Sequence, residues 1–242
     1  MAASTPATCC PVLELRQYTL HPGQRDVLIE LFDREFVESQ EAEGMWILGQ
    51  FRDLDKPDRF VWLRGYPDMQ VRDRGLRAFY TGPVWKANSK AANATMIDAT
   101  NVLLLRPARP DSGFAFDRSR RPAPGSTQAP KGLVTATIYY LAAPPGEDFV
   151  EVFERQVKPQ WKEAGASILG EFVTESATNT FPGLPVREGE NVFVVFSSFQ
   201  DQKGYDQPLA ERTAKPLSKW LKQPPEVLRL SPTARSMVGA TQ

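Results

Sequence analysis

"ILGQF" at residues 47–51 returns as "ILGEF" at residues 168–172, an offset of 121. Other stretches around this pair match in the same order. "IELFDR" (29–34) faces "VEVFER" (150–155) at the same offset, "YPD" (66–68) faces "FQD" (199–201), and "VLLLRP" (102–107) faces "VLRLSP" (227–232). Four matches in one order read as the duplication of a unit of about a hundred residues, within the usual domain size range.

Each unit reads as β-α-β-β-α-β. Residues 12–20 alternate as a strand, and Pro22-Gly23 then turns the chain into a helix on which Leu28, Phe32 and Phe36 step by four. Phe149, Phe153, Val157 and Trp161 repeat that stripe in the second unit. Two strands, about 44–53 and 58–66, join through "LDKPD"; in the second unit this turn grows by twelve residues, around "SATNTFPGLPVREGE". A helical region over about 68–92, broken at Gly82-Pro83, and a strand over about 101–106 complete the unit. A sheet with helices on one face must bury the other. The sequence therefore predicts an α+β fold of two tandem ferredoxin-like (βαββαβ) units, 12–107 and 132–232, packed sheet to sheet as an intramolecular α+β barrel. Residues 108–131, rich in Pro and Arg, read as a linker to which Phe114 and Phe116 could add anchors. Residues 1–11 read as a short disordered leader and 233–242 as a tail.

The 29 Lys and Arg residues balance the 29 Asp and Glu residues, so there is no net field to attract nucleic acid. No apolar run approaches the roughly 18–20 residues that span a bilayer. Cysteine occurs only as Cys9–Cys10. Adjacent cysteines rarely pair with each other, so the expectation is two exposed thiols and a reducing, cytoplasmic setting.

Conventional catalytic parts are scarce. His21 is the only histidine and sits at a strand-to-helix turn. No His/Cys set has zinc spacing, no phosphate-binding glycine loop is present, and Asp53, Asp55 and Asp58 fall in a hairpin turn, where Asp is common for backbone reasons. The expectation is a protein with no cofactor and no metal. What remains is strand parity. Arg16, Tyr18, Trp62, Arg64 and Tyr66 share one side of neighbouring strands, whereas Leu15, Val61 and Leu63 share the other. With the aliphatic side assigned to the helices, the five polar and aromatic residues are expected on the inner barrel face, around a pocket. The bland alternative is a structural sheet whose arginines pair with buried acids such as Glu14 or Glu171.

"ELRQYTLHPG" (14–23), "DRFVWLRGYPDM" (58–69) and "FYTGPVWKANSKAANATM" (79–96) resemble the NIPSNAP family, part of the dimeric α+β-barrel superfamily. The resemblance covers the first unit nearly end to end and the second more faintly. There "ATIYYLAAPPG" keeps Tyr140 and Gly146 and puts Ile138 where Arg16 stands. The resemblance implies the fold. The superfamily includes cofactor-free monooxygenases, haem-degrading oxygenases, haem peroxidases, chlorite-converting enzymes and isomerases.

Three functions follow as expectations. In the first, a small, planar, partly apolar molecule, anionic in one version, binds between the sheets for cofactor-independent monooxygenase or isomerase chemistry. Arg16, Tyr18 and Arg64 would then be catalytic, and Trp46, Trp62, Tyr66 and Tyr140 would line the substrate. In the second, the barrel is a non-catalytic interaction scaffold presenting its helices, linker or 174–189 loop. The third is haem binding or degradation, against which the lone histidine weighs. A homo-oligomer is compatible with all three.

Overall fold

The computed structural model describes residues 8–115, 117–200, 205 and 208–239, apart from the side chains of Thr8 and Arg118. Eight strands form one closed antiparallel barrel: β1 Val12–Leu20, β2 Trp46–Asp53, β3 Arg59–Tyr66, β4 Met96–Pro107, β5 Leu133–Tyr140, β6 Ser167–Thr174, β7 Val192–Phe199 and β8 Glu226–Pro232. Going round the barrel the order is β8-β2-β3-β1-β4-β6-β7-β5, and β5 pairs back to β8. Each half thus contributes four neighbouring strands, its first and third in the centre. The halves join edge to edge, β2 with β8 and β4 with β6. Closure leaves the barrel no free strand edge.

Helices cover the outside. Helix α1 runs Arg25–Leu31, passes through a π-helical segment Phe32–Phe36 and continues as Val37–Ala42. Helix α2 spans Met69–Thr81, capped by the Asp68 carboxylate, which accepts from the Val71 N–H. Helix α3 spans Pro83–Thr95. Gly82 separates α2 from α3, because any side chain there would press on the Ala78 carbonyl oxygen, 2.9 Å from the Cβ position. In the second half, α4 runs Glu147–Val152, through the π-helical segment Phe153–Val157, to Lys158–Glu163. Helix α5, Leu209–Thr213, and a 3-10 turn at Lys215–Trp220 follow. The π-helical turns start at Phe32 and Phe153, 121 residues apart, so even this rare geometry is duplicated.

The repeated pentapeptides now have a cause. Pairing slips by one residue between Ile47 and Gly49, and again between Ile168 and Gly170. Each slip is a β-bulge that re-aims the side chains beyond it. The Phe51 ring folds back over Gly49, 2.6 Å from where a Cβ would stand, and the Phe172 ring covers Gly170 at 2.7 Å. Glycine is the residue that admits these rings.

The barrel interior is mainly aliphatic, with the rings of Phe51, Phe172 and Phe196 among its chains: Leu13, Leu15, Val61, Leu63, Leu103 and Leu105 from the first half meet Val134, Ala136, Ile138, Val192, Val194, Leu228 and Leu230 from the second. This reverses the expected parity. Eight strands leave an interior just wide enough for compact side chains. Arg16 and Arg64, with the rings of Tyr18, Trp62 and Tyr66, lie instead in the layer between sheet and helices, with Phe32, Phe36 and Phe79.

The segments expected to be loose are docked. Thr8–Cys9 pairs with Phe114–Ala115, and Cys9 and Cys10 are both buried and joined to each other as a disulfide, where two exposed thiols were expected. Phe114 closes one barrel end against Phe172 and Phe196. The other linker anchor considered, Phe116, lies outside the described residues, as do residues 1–7 of the leader and 240–242 of the tail. The segments that follow β4 and β8 each cross to the opposite half. Ala108 N–H donates to the Glu171 carbonyl, and Thr233 N–H donates to the Gln50 carbonyl. Among the described residues no helix is long and apolar enough to cross a membrane.

Candidate functional site

The centre of the first half is one carboxylate held by three arginines. Glu14 and Arg16 lie on β1, Arg64 on β3 and Arg72 on α2. Glu14 Oε2 accepts from Arg16 Nη1 at 2.9 Å and from Arg64 Nη2 at 2.7 Å, while Oε1 accepts from Arg72 Nε at 2.8 Å. All four side chains are buried. Arg64 is fully committed, because its Nη1 donates to Gln40 Oε1 at 2.7 Å. Arg72 Nη1 donates to Asn179 Oδ1 at 2.9 Å, a contact supplied by the second half. Arg16 Nε donates to the Tyr18 hydroxyl oxygen at 3.0 Å, and Arg16 Nη2 has no partner among the described residues.

The electrostatics follow from this census. Burial alone would raise the Glu14 carboxyl, but the Arg64, Arg16 and Arg72 guanidiniums outweigh it and hold Glu14 well below the usual carboxylate range. Three guanidiniums against one carboxylate leave an excess of about two positive charges in a buried site. Tyr18 is pushed up by burial, an effect that Arg16 only partly opposes. Its phenol therefore stays protonated near neutral pH. With Arg16 occupying the oxygen, the O–H is free to donate, which suits Tyr18 to donation rather than to base work.

Aromatic rings wall the space beside the cluster. Tyr18 and Trp62 meet edge to face at 5.8 Å, Phe32 packs on Trp62 at 4.8 Å, and the Arg16 guanidinium carbon lies 5.5 Å from the Trp62 ring centre. Phe36, Phe79, Tyr80 and Trp85 complete a small cavity with Gln40 and Met96. Its room for the centres of water molecules is about 30 Å³, enough for about two waters. Tyr80, Trp85 and Met96, all half-buried, form its outer side. The long loop of the second half rests over this end: Phe181 stacks on Tyr80 at 5.8 Å, and Arg77 donates to the Thr180 carbonyl.

The structure brings five of the seven anticipated residues together, on the helix-covered face rather than inside the barrel. Arg16, Tyr18, Trp62, Arg64 and Tyr66 converge around Glu14. Trp46 and Tyr140 do not join them, because both pack on the barrel-interior side. Tyr140 OH bonds to Glu226 and accepts from Arg187, and burial first, then Glu226, pushes it up to about 12. The alignment that placed Ile138 opposite Arg16 is one residue out. Arg16 pairs with Trp62 across β1–β3 as Thr137 pairs with Val195 across β5–β7. A one-residue slip moves a side chain to the other face. The true counterparts of Glu14, Arg16, Tyr18 and Arg64 are Thr135, Thr137, Tyr139 and Ser197. Thr135 and Ser197 share a hydrogen bond at 2.9 Å, and this half carries no charge cluster there.

Sequence reasoning missed Gln40, Arg72, Tyr80, Trp85 and Asn179. Gln40 extends the Leu28-Phe32-Phe36 stripe by one step of four. Arg72 shares the buried face of α2 with Leu76 and Phe79, at helical spacing. Nothing in the sequence links Asn179 to a cluster more than a hundred residues earlier.

An α+β barrel whose first half keeps a buried cationic cluster under its helices defines the class. Three solved structures share the fold over nearly their whole length. The chain covers 98% of itself and 98% of a candidate monooxygenase from Fusobacterium nucleatum subsp. nucleatum ATCC 25586, at 10% identity and TM-score 0.58. It covers 95% of itself and 97% of a candidate monooxygenase from Lactobacillus acidophilus NCFM, at 15% identity and TM-score 0.53. An anthrone oxidase-like protein matches at 12% identity and TM-score 0.53, with 96% of each chain covered. These likenesses establish the fold. A comparison with curated proteins found no match. Residues 13–110 match the NIPSNAP family model, and the chain carries a NIPSNAP domain there.

Proposed function

We propose that the first half binds a small, planar, partly apolar anion between its sheet and its helices. The proposed chemistry is of the cofactor-independent monooxygenase or isomerase kind, with residues 12–107 and 132–232 acting as tandem ferredoxin-like units joined by 108–131. The observation that carries the reading is the buried excess of guanidinium charge beside an aromatic cavity. Arg16 meets the ligand through Nη2, Tyr18 donates its O–H, and Trp62 with Phe32 and Phe36 holds the ring. Arg64 acts through Glu14 and Gln40 and is a positioning residue. A phenol or enol in this field ionises more readily, since the donors face where its negative charge develops. Such an electron-rich anion is the kind of species that can react with dioxygen without a redox cofactor.

The cavity holds about two waters, so a ring enters only when Trp85 and Tyr80 move aside, with Gly82 between their helices as the pivot. The neighbours described as candidate monooxygenases and as anthrone oxidase-like agree with this chemistry. Of the elements the scaffold reading would present, the 174–189 loop rests on the chain's own first half through Asn179 and Phe181, which weighs against its offering a free surface. His21 is exposed at the β1–α1 turn, which disfavours the haem reading.

The test is calorimetric titration of a hydroxynaphthoate into wild type, Arg16→Met and Tyr18→Phe, with an oxygen electrode following a hydroquinone analogue. Losing a hydrogen bond to a charged group, worth ~1.5–3 kcal/mol, weakens binding by about tenfold or more in either variant. Unchanged affinity in both variants overturns the site assignment, and oxygen uptake equal to the no-protein rate overturns the monooxygenase version.

A further inference from the structure

We infer that the same cluster carries a site for a small monovalent inorganic anion of about chloride's size, between Arg16, Tyr18 and Trp62. The inference stands whether or not a planar ligand is turned over there. Three observations support it independently of the family likeness.

The first is charge. Among the described residues Glu14 is the single carboxylate in contact with Arg16, Arg64 and Arg72, and all four side chains have no exposed surface. Unpaired buried charge is costly in a low-dielectric interior, so excess guanidinium charge favours an anion in the remaining space.

The second is donor supply. The acceptors that the described residues offer these guanidiniums are Glu14, Gln40 Oε1, Asn179 Oδ1 and the Tyr18 oxygen. Among the described residues Arg16 Nη2 and Trp62 Nε1, on side chains at least nine-tenths buried, meet no acceptor, and Trp62 itself lines the cavity. Arg16, Tyr18 and Trp62 pack on one another, with the guanidinium carbon 5.4 Å from the Tyr18 ring centre and 5.5 Å from that of Trp62. A surplus of N–H and O–H donors recognises anions and rejects cations.

The third is size. The cavity that Tyr18 and Trp62 line beside Arg16 has room for about two waters, which suits a monatomic anion while Tyr80 and Trp85 stay in place; a hydrated sulfate or an organic anion needs them to move. The counterpart location in the second half, Thr135, Thr137 and Ser197, has neutral hydroxyls in place of Glu14, Arg16 and Arg64 and is expected to bind none.

The experiment uses the full chain in sodium gluconate of constant ionic strength, replaced stepwise by sodium chloride or sodium bromide, with the thermal midpoint as readout. Gluconate is too large to enter. Chloride and bromide are expected to raise the midpoint along a saturating curve, by roughly 5–10 °C at a hundred times Kd. Trp62→Phe, which keeps the ring and removes the N–H, should shift that curve to about tenfold higher halide. Bromide-soaked crystals of the wild type should give an anomalous peak beside Arg16 and Trp62. A halide response that stays linear, as general salt effects do, or one undiminished in Trp62→Phe, overturns the inference. So does a bromide data set without that peak. Because no planar ligand is present, failure here is separate from failure of the proposed binding or turnover.

Discussion

Replacing Glu14 by Gln should cost the protein far more stability than replacing any one arginine around it. Glu14 accepts from Arg16, Arg64 and Arg72 and is the carboxylate they share. Removing one partner of a buried ion pair costs ~3–5 kcal/mol. Here the removal leaves three guanidiniums behind, although the Gln oxygen can still accept from one. The top of that range, about 5 kcal/mol, is therefore the expected loss, a large part of the ~5–15 kcal/mol that holds a typical domain together. Arg16→Met is different. Glu14 keeps Arg64 and Arg72, one charge-assisted bond worth ~1.5–3 kcal/mol is lost, and the repulsion between Arg16 and Arg64 is relieved. The net cost is expected near 1–2 kcal/mol. The gap of about 3 kcal/mol corresponds to roughly 6–12 °C in midpoint for a chain of this size. Urea and thermal denaturation of the two variants and the wild type measure it. Equal losses, or a larger loss in Arg16→Met, would refute the reasoning. The pH dependence adds a sign. Glu14 is depressed in the folded state, so its stabilisation is present above the unfolded value of about 4.3 and fades as pH falls toward the folded one. Glu14→Gln should flatten that acid limb.

Asp33 predicts the opposite slope. Burial first raises its carboxyl to about 6, against the pull of Arg235, so this group's contribution to stability falls as pH rises from about 4 to about 6 and is constant above. Asp33→Asn, which keeps an acceptor for Gln50 Nε2, is expected to gain stability relative to wild type at pH 7.5 and not at pH 4. Denaturation curves at both pH values decide it. Gly49→Ala and Gly170→Ala should each destabilise by about 1–3 kcal/mol, since the new methyl meets the Phe51 or Phe172 ring. Pairing Gly49→Ala with Phe51→Leu should recover part of the loss, and a lack of recovery would discard the ring contact as the cause. Trp85→Ala should widen the cavity and tighten binding of an anionic naphthalene dye, read by fluorescence titration, while unaltered affinity would show that Trp85 does not guard the entrance.

The order of elements was legible because duplication shows as matched words and because the helical stripes step by four. What the words meant was not. "ILG-F" encodes a bulge with a ring folded over glycine, and the geometry of a bulge is not visible in a pattern of apolar residues. Strand parity correctly grouped Arg16, Tyr18, Trp62, Arg64 and Tyr66, since alternation is a property of the backbone. It assigned them the wrong side, because parity carries no information on which face the helices cover. Trp46 and Tyr140 were lost to one-residue effects: Trp46 precedes the bulge, and Tyr140 rests on an alignment displaced by one position. Arg72 and Gln40 were available from helical spacing, Gln40 one step of four beyond Phe36 and Arg72 one turn before Leu76. Asn179 depends on the second half lying over the first, which is a tertiary fact.

The pairing of Phe51, Arg52 and Asp53 with Pro232, Ser231 and Leu230 bears on how the chain comes off the ribosome. At about 5–20 residues per second, the outer edge of β2 waits on the order of ten to thirty seconds before β8 exists to pair with it. During that interval the nascent first half holds an unpaired, apolar edge, the kind of template through which strands of separate chains join. The contact is also among the most distant in sequence, so closing the ring is expected to come late and slowly in refolding. A first half made alone would keep that edge for good. Two such fragments offer each other β2 and β4, the edges that the second half otherwise fills, and are expected to assemble as a pair.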